Sequence, residues 1–424
     1  MIAMSFRPVT AGGLLFLSLG LGCSDDASPS LSDAGGTTSG AAGSTSGGDN
    51  GAGTSNAGAS TSSSGSGGSA AGGVGGSNAG GSTGSSPGGS PAAGGSPSGG
   101  SPSGGGTGPE VPECEVNELE HCSVGDSVSC HFGGDPGNYE VTVTLGGAEA
   151  AQAYVEAESY RRVLGEVTTG AGEMKRFDFL VNVRQPEGQP VQNGATDGTP
   201  GLDIYLRGDS PKLESICFEP AVQPVTIWIA GDSTVCDQGG TDYSGWGQHL
   251  PQFFDASVVV ANYADSGESS GSFLGNAKMW GAIKAGWTEG DWLFVQMGHN
   301  DKTTSAATFR ANMASYVTQA KAAGVHVVLV TPISRVGYAL ESQHVNSTGA
   351  DLPKIIRDLG ASEGVPVVDL TVTTWSWLET INWKDYFALG TDRTHPNPRG
   401  AEVIAGFVRE AIQEQDLDIA AHLR

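Results

Sequence analysis

The chain has 424 residues, room for two ordinary domains, and 67 of them are glycine, more than twice the roughly 7% of an average protein. With 46 Asp and Glu against 21 Lys and Arg the formal charge is -25, a field that repels a phosphate backbone and excludes nucleic acid as an expected partner. The glycines keep no strict period of three, which excludes a collagen helix.

In chain order, Met1 to Gly22 carry one positive charge, Arg7, and then an apolar run from Ala11 to Leu21. That run has the length of a signal-peptide core and falls short of the roughly 20 residues a bilayer span needs. Residues 1–22 therefore read as a signal peptide for export. The end of the run, Leu19-Gly20-Leu21-Gly22-Cys23, resembles the lipobox of bacterial lipoproteins, with Gly20 where such boxes usually carry Leu. The resemblance implies lipidation of Cys23 and a cell-surface or periplasmic protein held to a membrane through that lipid alone. The alternative is ordinary cleavage and secretion. Residues 23–110 are Gly, Ser, Ala and Thr with scattered Pro, too poor in apolar side chains to offset ordering entropy, and read as a disordered tether. Five cysteines follow, Cys114, Cys122, Cys130, Cys217 and Cys236. Export permits disulfides, the odd number leaves a thiol unpaired or bonded to another chain, and the pairing is open. Zinc-site spacing is absent, so no metal is expected.

Residues 111–223 carry strand periodicity in Tyr139 to Leu145, Lys175 to Arg184, Leu202 to Arg207 and Leu213 to Phe218, each bounded by turn residues. Such spacing predicts a β-sandwich of about a hundred residues, serving as a spacer or lid or as a carbohydrate-contacting module. From residue 224 to 424 the pattern changes. Near-continuous apolar runs at Val225 to Ala230, Val258 to Tyr263, Trp292 to Met297, Val325 to Val330 and Val365 to Leu370 alternate with helical stretches such as Ala306 to Ala323. This predicts an α/β fold with a doubly wound parallel sheet, whose chemistry collects at the carboxyl ends of the strands.

At those ends stand four short blocks. Gly231-Asp232-Ser233-Thr234 places a serine on a turn between a buried strand and a helix, the setting of an acyl-enzyme nucleophile. Asn262-Tyr-Ala-Asp-Ser-Gly267-Glu-Ser-Ser offers a glycine NH, and Gly298-His299-Asn300-Asp301 an amide side chain, toward a developing oxyanion. Asp392-Arg-Thr-His395 sets a carboxylate and an imidazole three residues apart.

In order and register, these blocks resemble those of the SGNH (GDSL) hydrolase superfamily, whose fold is flavodoxin-like. The finer text, GDSTVCDQ, GWGQ, NYADSGESSGSF, GDWLFVQMGHND, VTPISR and DRTHPNPRGAEVIA, is similar to its rhamnogalacturonan acetylesterase group. Tyr154 to Arg162 and Arg176 to Arg184 resemble the galactose-binding-like domain that precedes the catalytic domain in some bacterial members. The resemblance implies Ser233 as nucleophile, His395 as general base, Asp392 as its orienting partner, and the NH groups of Ser233 and Gly267 with the Asn300 amide as oxyanion hole. It implies no metal or organic cofactor. The position after Gly267, Arg in many relatives, is Glu268 here.

The remaining candidates have plainer readings. Asp232 is expected to fix its loop, His299 to be a structural hydrogen-bonding residue, and His249 and His326 to be satisfied, partly buried imidazoles. Trp280, Trp287, Trp375, Trp377 and Trp383 are expected in the core rather than on a sugar, and Arg335 stands either in a surface ion pair or where a substrate carboxylate could be met. The implied activity is removal of acetyl groups from an acetylated plant cell-wall polysaccharide, rhamnogalacturonan of pectin first, with acetyl xylan or lipid esters as alternatives. A carbohydrate-binding surface lipoprotein with an inert hydrolase domain is the reading from another class. Oligomeric state is not legible.

Overall fold

The computed structural model describes residues 117–424 apart from 186, 188, 190–198 and 241. The expected signal peptide, Cys23, the tether and Cys114 lie outside the described residues, which all belong to one compact unit.

The first part of this unit is two antiparallel sheets. One has five strands, β1 (Cys122–Val124), β2 (Val128–Phe132), β7 (Leu202–Ser210), β4 (Ala151–Ala157) and β5 (Arg161–Thr169), in the order β1-β2-β7-β4-β5. The other has β6 (Met174–Val183), β3 (Gly137–Gly146) and β8 (Leu213–Pro220), with β3 central. Both sheets contribute to one apolar cluster, Val141, Val143 and Leu145 of β3 meeting Val155, Ile204 and Leu206 of the larger sheet. The alternation follows from the two-residue period of a strand. Four strands escape the periodicity reading. In β4 and β5 the cause is visible: the register shifts between Ala153 and Val155 and again before Glu156, and each bulge breaks the alternation. Cys122 and Cys130, cross-strand partners in β1 and β2, form a disulfide. Cys217 is disulfide-bonded as well, and Cys236 is a buried free thiol.

The second part is a five-stranded parallel sheet of β9 (Val225–Ala230), β10 (Val258–Asn262), β11 (Trp292–Gln296), β12 (His326–Val330) and β13 (Val367–Val368), in the order β10-β9-β11-β12-β13. This is the flavodoxin-like order, with the topological switch point between β9 and β11. Successive residues of β9 serve opposite faces. Trp228 and Ala230 pack with α1 (Ser270–Gly275), α2 (Trp280–Gly286), α3 (Ala306–Ala322) and α4 (Leu352–Glu363). Ile227 and Ile229 pack with α5 (Leu370–Leu378) and α6 (Pro398–Glu414). β13 is shorter than its apolar run predicts because the Asp369 side chain accepts from Val372 N and caps α5, which starts at Leu370.

A buried ion pair joins the two parts. Arg161 at the start of β5 is 1% exposed and meets Asp237, just past the end of β9, at 3.1 Å, while its guanidinium also donates to the Asn182 carbonyl of β6.

Candidate active site

The loop after β9 is built for a close turn. A Cβ on Gly231 would stand 2.8 Å from the Val235 side chain, so the turn admits glycine alone without displacement. Asp232 is fully buried, and its Oδ1 accepts from Thr234 N at 3.0 Å and Thr234 Oγ1 at 2.7 Å. Thr234 Oγ1 in turn accepts from Gln296 Nε2 at 2.7 Å, and Gln296 Oε1 accepts from Trp246 Nε1 at 2.9 Å. The turn is thereby tied to the end of β11. Burial pushes the Asp232 carboxyl up to about 6.

Ser233, half-buried on that turn, has its Oγ 2.9 Å from His395 Nε2. His395 lies just before α6, whose N-cap Asn397 accepts from Gly400 N with Pro398 in the first turn. Asp392 grips the histidine twice. Its Oδ2 is 2.9 Å from His395 Nδ1, and its Oδ1 accepts the backbone NH groups of Thr394 at 2.7 Å and His395 at 2.9 Å. Desolvation raises the Asp392 carboxyl, but hydrogen bonds from the backbone and ring of His395 and from Thr394 outweigh it and hold the group below the usual carboxylate range. An ionised Asp392 accepts only, so the neutral imidazole carries its proton on Nδ1 and turns a lone pair on Nε2 toward the serine hydroxyl.

The loop after β10 comes beside this turn: Asp265 N donates to Gly231 O at 3.1 Å, and Cys236 Sγ lies 3.5 Å from Ser266 Oγ and 3.8 Å from Ser233 O. Gly267 has φ +85°, a left-handed conformation that disfavours any side chain. Asn300, in the loop after β11, donates through Nδ2 to the carbonyl of Glu268 at 3.0 Å. A carboxamide nitrogen has two hydrogens, so a second donor remains. Glu268 itself is buried, with Asn276 Nδ2 donating to its Oε1 at 3.0 Å.

The structure thus brings Ser233, His395 and Asp392 into one hydrogen-bonded chain, and links Gly267 to Asn300 through the neighbouring carbonyl. Asp232 lies in the loop-fixing network its residue type suggested. His299 differs from expectation. It is 2% exposed, neither ring nitrogen has a hydrogen-bond partner among the described residues, and its ring meets the edge of His344 with centroids 4.5 Å apart. Burial, with positive neighbours, holds it well below the ordinary imidazole value and so neutral. His249 is buried against Ser244, whereas His326 is exposed and stacked on Trp292. Trp280 lies in the core, Trp287 and Trp377 pack against its clusters half-buried, and Trp375 and Trp383 are half-exposed.

Sequence reasoning missed the support under the nucleophile. Gln238 Nε2 donates to the Ser233 carbonyl at 3.0 Å, Gln189 Nε2 donates to Gln238 Oε1 at 2.6 Å, and Gln248 Nε2 bridges the carbonyls of Ser159 and Gln238. Gln238 and Gln248 sit in the GDSTVCDQ and GWGQ stretches, which was the available signal. Ser159 and Gln189, from the antiparallel part, gave none, being 89 and 49 positions from their partners. Among the described residues, the side chains near enough to share a cation are Glu118, Glu120 and His121, on the turn before β1.

The model of the GDSL-like lipase/acylhydrolase family matches residues 229–403. Rhamnogalacturonan acetylesterase RhgT of Bacillus subtilis (strain 168) is 31% identical over 222 residues, which cover 47% of this chain and 95% of that protein. The uncharacterized esterase YxiM of the same organism is 31% identical over 292 residues, 66% of this chain and 73% of YxiM, an alignment too long to be confined to the region after Val225. A crystal structure of the YxiM protein aligns at 26% identity and TM-score 0.43, covering 69% of this chain and 81% of that one.

Proposed function

The chain belongs to the GDSL-like lipase/acylhydrolase family and is a carboxylic ester hydrolase, and we propose that it removes O-acetyl groups from an acetylated plant cell-wall polysaccharide, rhamnogalacturonan first. The observation that carries the reading is the unbroken hydrogen-bonded chain from Ser233 through His395 to Asp392 at the carboxyl edge of the sheet. The polysaccharide rests on similarity to RhgT across nearly that whole protein.

In this reading Ser233 Oγ attacks the acetyl carbonyl as its proton passes to His395 Nε2. The tetrahedral oxyanion is held by the NH groups of Ser233 and Gly267 and the free hydrogen of the Asn300 amide. Collapse breaks the ester bond, and the departing sugar oxygen takes the proton from His395. A water molecule then gives its proton to His395 and attacks the acetyl-enzyme. Acetate leaves and the proton returns to Ser233. Asp392 keeps its charge throughout and stabilises the transient imidazolium.

The test is acetate release by the full chain from acetylated pectin, acetylated xylan and long-chain esters in parallel. Ser233→Ala is expected to abolish release with an unchanged circular dichroism spectrum, and retained activity would remove the assignment. Preference for xylan or for lipid esters would move the leaving group while leaving the chemistry in place.

A further inference from the structure

We propose that the cavity beside the His395 turn is an anion subsite, which takes a carboxylate of the uronic acid units in the acetylated polysaccharide; this rests on the esterase reading above.

The cavity has a volume of about 520 Å³ and is lined by Lys302, Arg335, Gly337, Tyr338, Arg393 and Thr394. It collects three cations in a chain with more than twice as many acidic as basic residues, and no carboxylate lines it. Among the described residues none of the three makes an ion pair. Arg335 donates through Nη2 to the His299 carbonyl at 3.0 Å, and its Nε is buried without a partner. Arg393 has its guanidinium 5.8 Å from the centroid of Trp383. Lys302 is exposed. An acidic surface gains nothing in stability from gathering unpaired cations, since their mutual repulsion opposes it; an anionic ligand supplies the missing partner.

Covalent connectivity fixes where the cavity lies. Thr394 precedes His395 directly, Lys302 follows Asn300 by two residues, and Arg335 holds the carbonyl of His299, the residue before Asn300. Consecutive Cα atoms are 3.8 Å apart, so the backbone that lines the cavity runs within two residues of His395 and Asn300. The floor is firm: Arg335 N donates to Gln343 Oε1 at 2.9 Å, Gln343 Nε2 donates back to Arg335 O at 2.9 Å, and Val336 N donates to Arg393 O at 2.9 Å. Tyr338, 52% exposed at the rim, presents an aromatic face of the kind on which a pyranose ring stacks. The buried neighbour His299 is neutral, so it adds no charge and the three side chains set the sign. Planar guanidinium groups suit a carboxylate through paired donors.

The experiment measures kcat/KM for acetate release from acetylated galacturonate-containing oligosaccharides with their carboxylates free, and from the same fragments methyl-esterified. The full chain is expected to favour the free acid by roughly tenfold, mostly through KM, as a few partly exposed ion contacts allow. That preference should shrink between low salt and 0.5 M salt. In Lys302→Gln/Arg393→Gln the ratio of the two substrates should fall toward one, and Lys302→Glu should favour the methyl ester. A wild-type ratio of one, or a ratio unmoved by these substitutions, overturns the subsite while leaving the esterase assignment standing. Absence of acetate release from any ester, p-nitrophenyl acetate included, overturns the parent reading instead. Because the ratio is read within each protein, a variant that fails to fold leaves the wild-type ratio and its salt dependence to decide.

Discussion

Asp392 holds both the ring and the backbone of His395, using one carboxylate oxygen for each: Oδ2 on Nδ1 and Oδ1 on the peptide NH, both at 2.9 Å. The two bonds have separable consequences. In Asp392→Asn the amide oxygen can keep the backbone bonds, but the amide NH₂ then faces Nδ1 and favours the tautomer with a proton on Nε2, which cannot accept one from Ser233. The expected result is a fall in kcat of roughly 10⁴ with little change in thermal midpoint. A midpoint lowered along with activity would mean that the carboxylate serves mainly to fold the turn.

Asn300→Ala removes one proposed oxyanion donor and also frees the Glu268 carbonyl. A fall of roughly 10² to 10³ in kcat is expected, read by initial rates on a small acetyl ester, with KM changing less. A change confined to KM would place Asn300 in ground-state binding instead.

Arg161 and Asp237 are both essentially inaccessible, and a single loss unbalances a buried cluster that also holds Arg184, Glu187 and Glu158. Arg161→Met is expected to cost roughly 3–5 kcal/mol in chemical denaturation. Asp237 lies four residues past Ser233, so activity should fall too. The double variant Arg161→Met/Asp237→Leu should recover part of the stability, because it removes both members of the pair together and leaves the neighbouring Arg184 and Glu187 to each other. Equal instability of single and double variants would show that packing, and not charge, holds this seam.

The pH dependence of stability has a component set by Asp232, whose carboxyl stands near 6 in the folded chain against about 3.9 when unfolded. Between those values the folded state binds more protons, so this stabilising contribution is full below about pH 4 and is lost as the pH rises to about 6. Asp232→Asn cannot titrate. Its stability relative to wild type should therefore climb across that window by up to about 3 kcal/mol and level off above it. Denaturation curves that shift in parallel across pH 4 to 8 would contradict this.

The parts of this protein legible in the sequence are those that local chemistry dictates. Apolar strand runs such as Val258 to Asn262, buried throughout, announce a sheet covered on both faces, and the residues at their carboxyl ends are fixed by chain order, so the four blocks could be assembled before any coordinates. Alternation exposed β3 and β6 but not the bulged β4 and β5, where the period is broken. The glycine excess likewise sets residues 23–110 apart from the rest of the sequence in composition. What only the tertiary structure decided is which charges and amides find each other across distance. Arg161 reaching Asp237, Gln189 reaching Gln238, and Lys302, Arg335 and Arg393 lining one cavity with Thr394 come from segments with no common pattern. Burial and pairing of polar groups depend on the packing of whole elements, and a one-dimensional period carries no information about them.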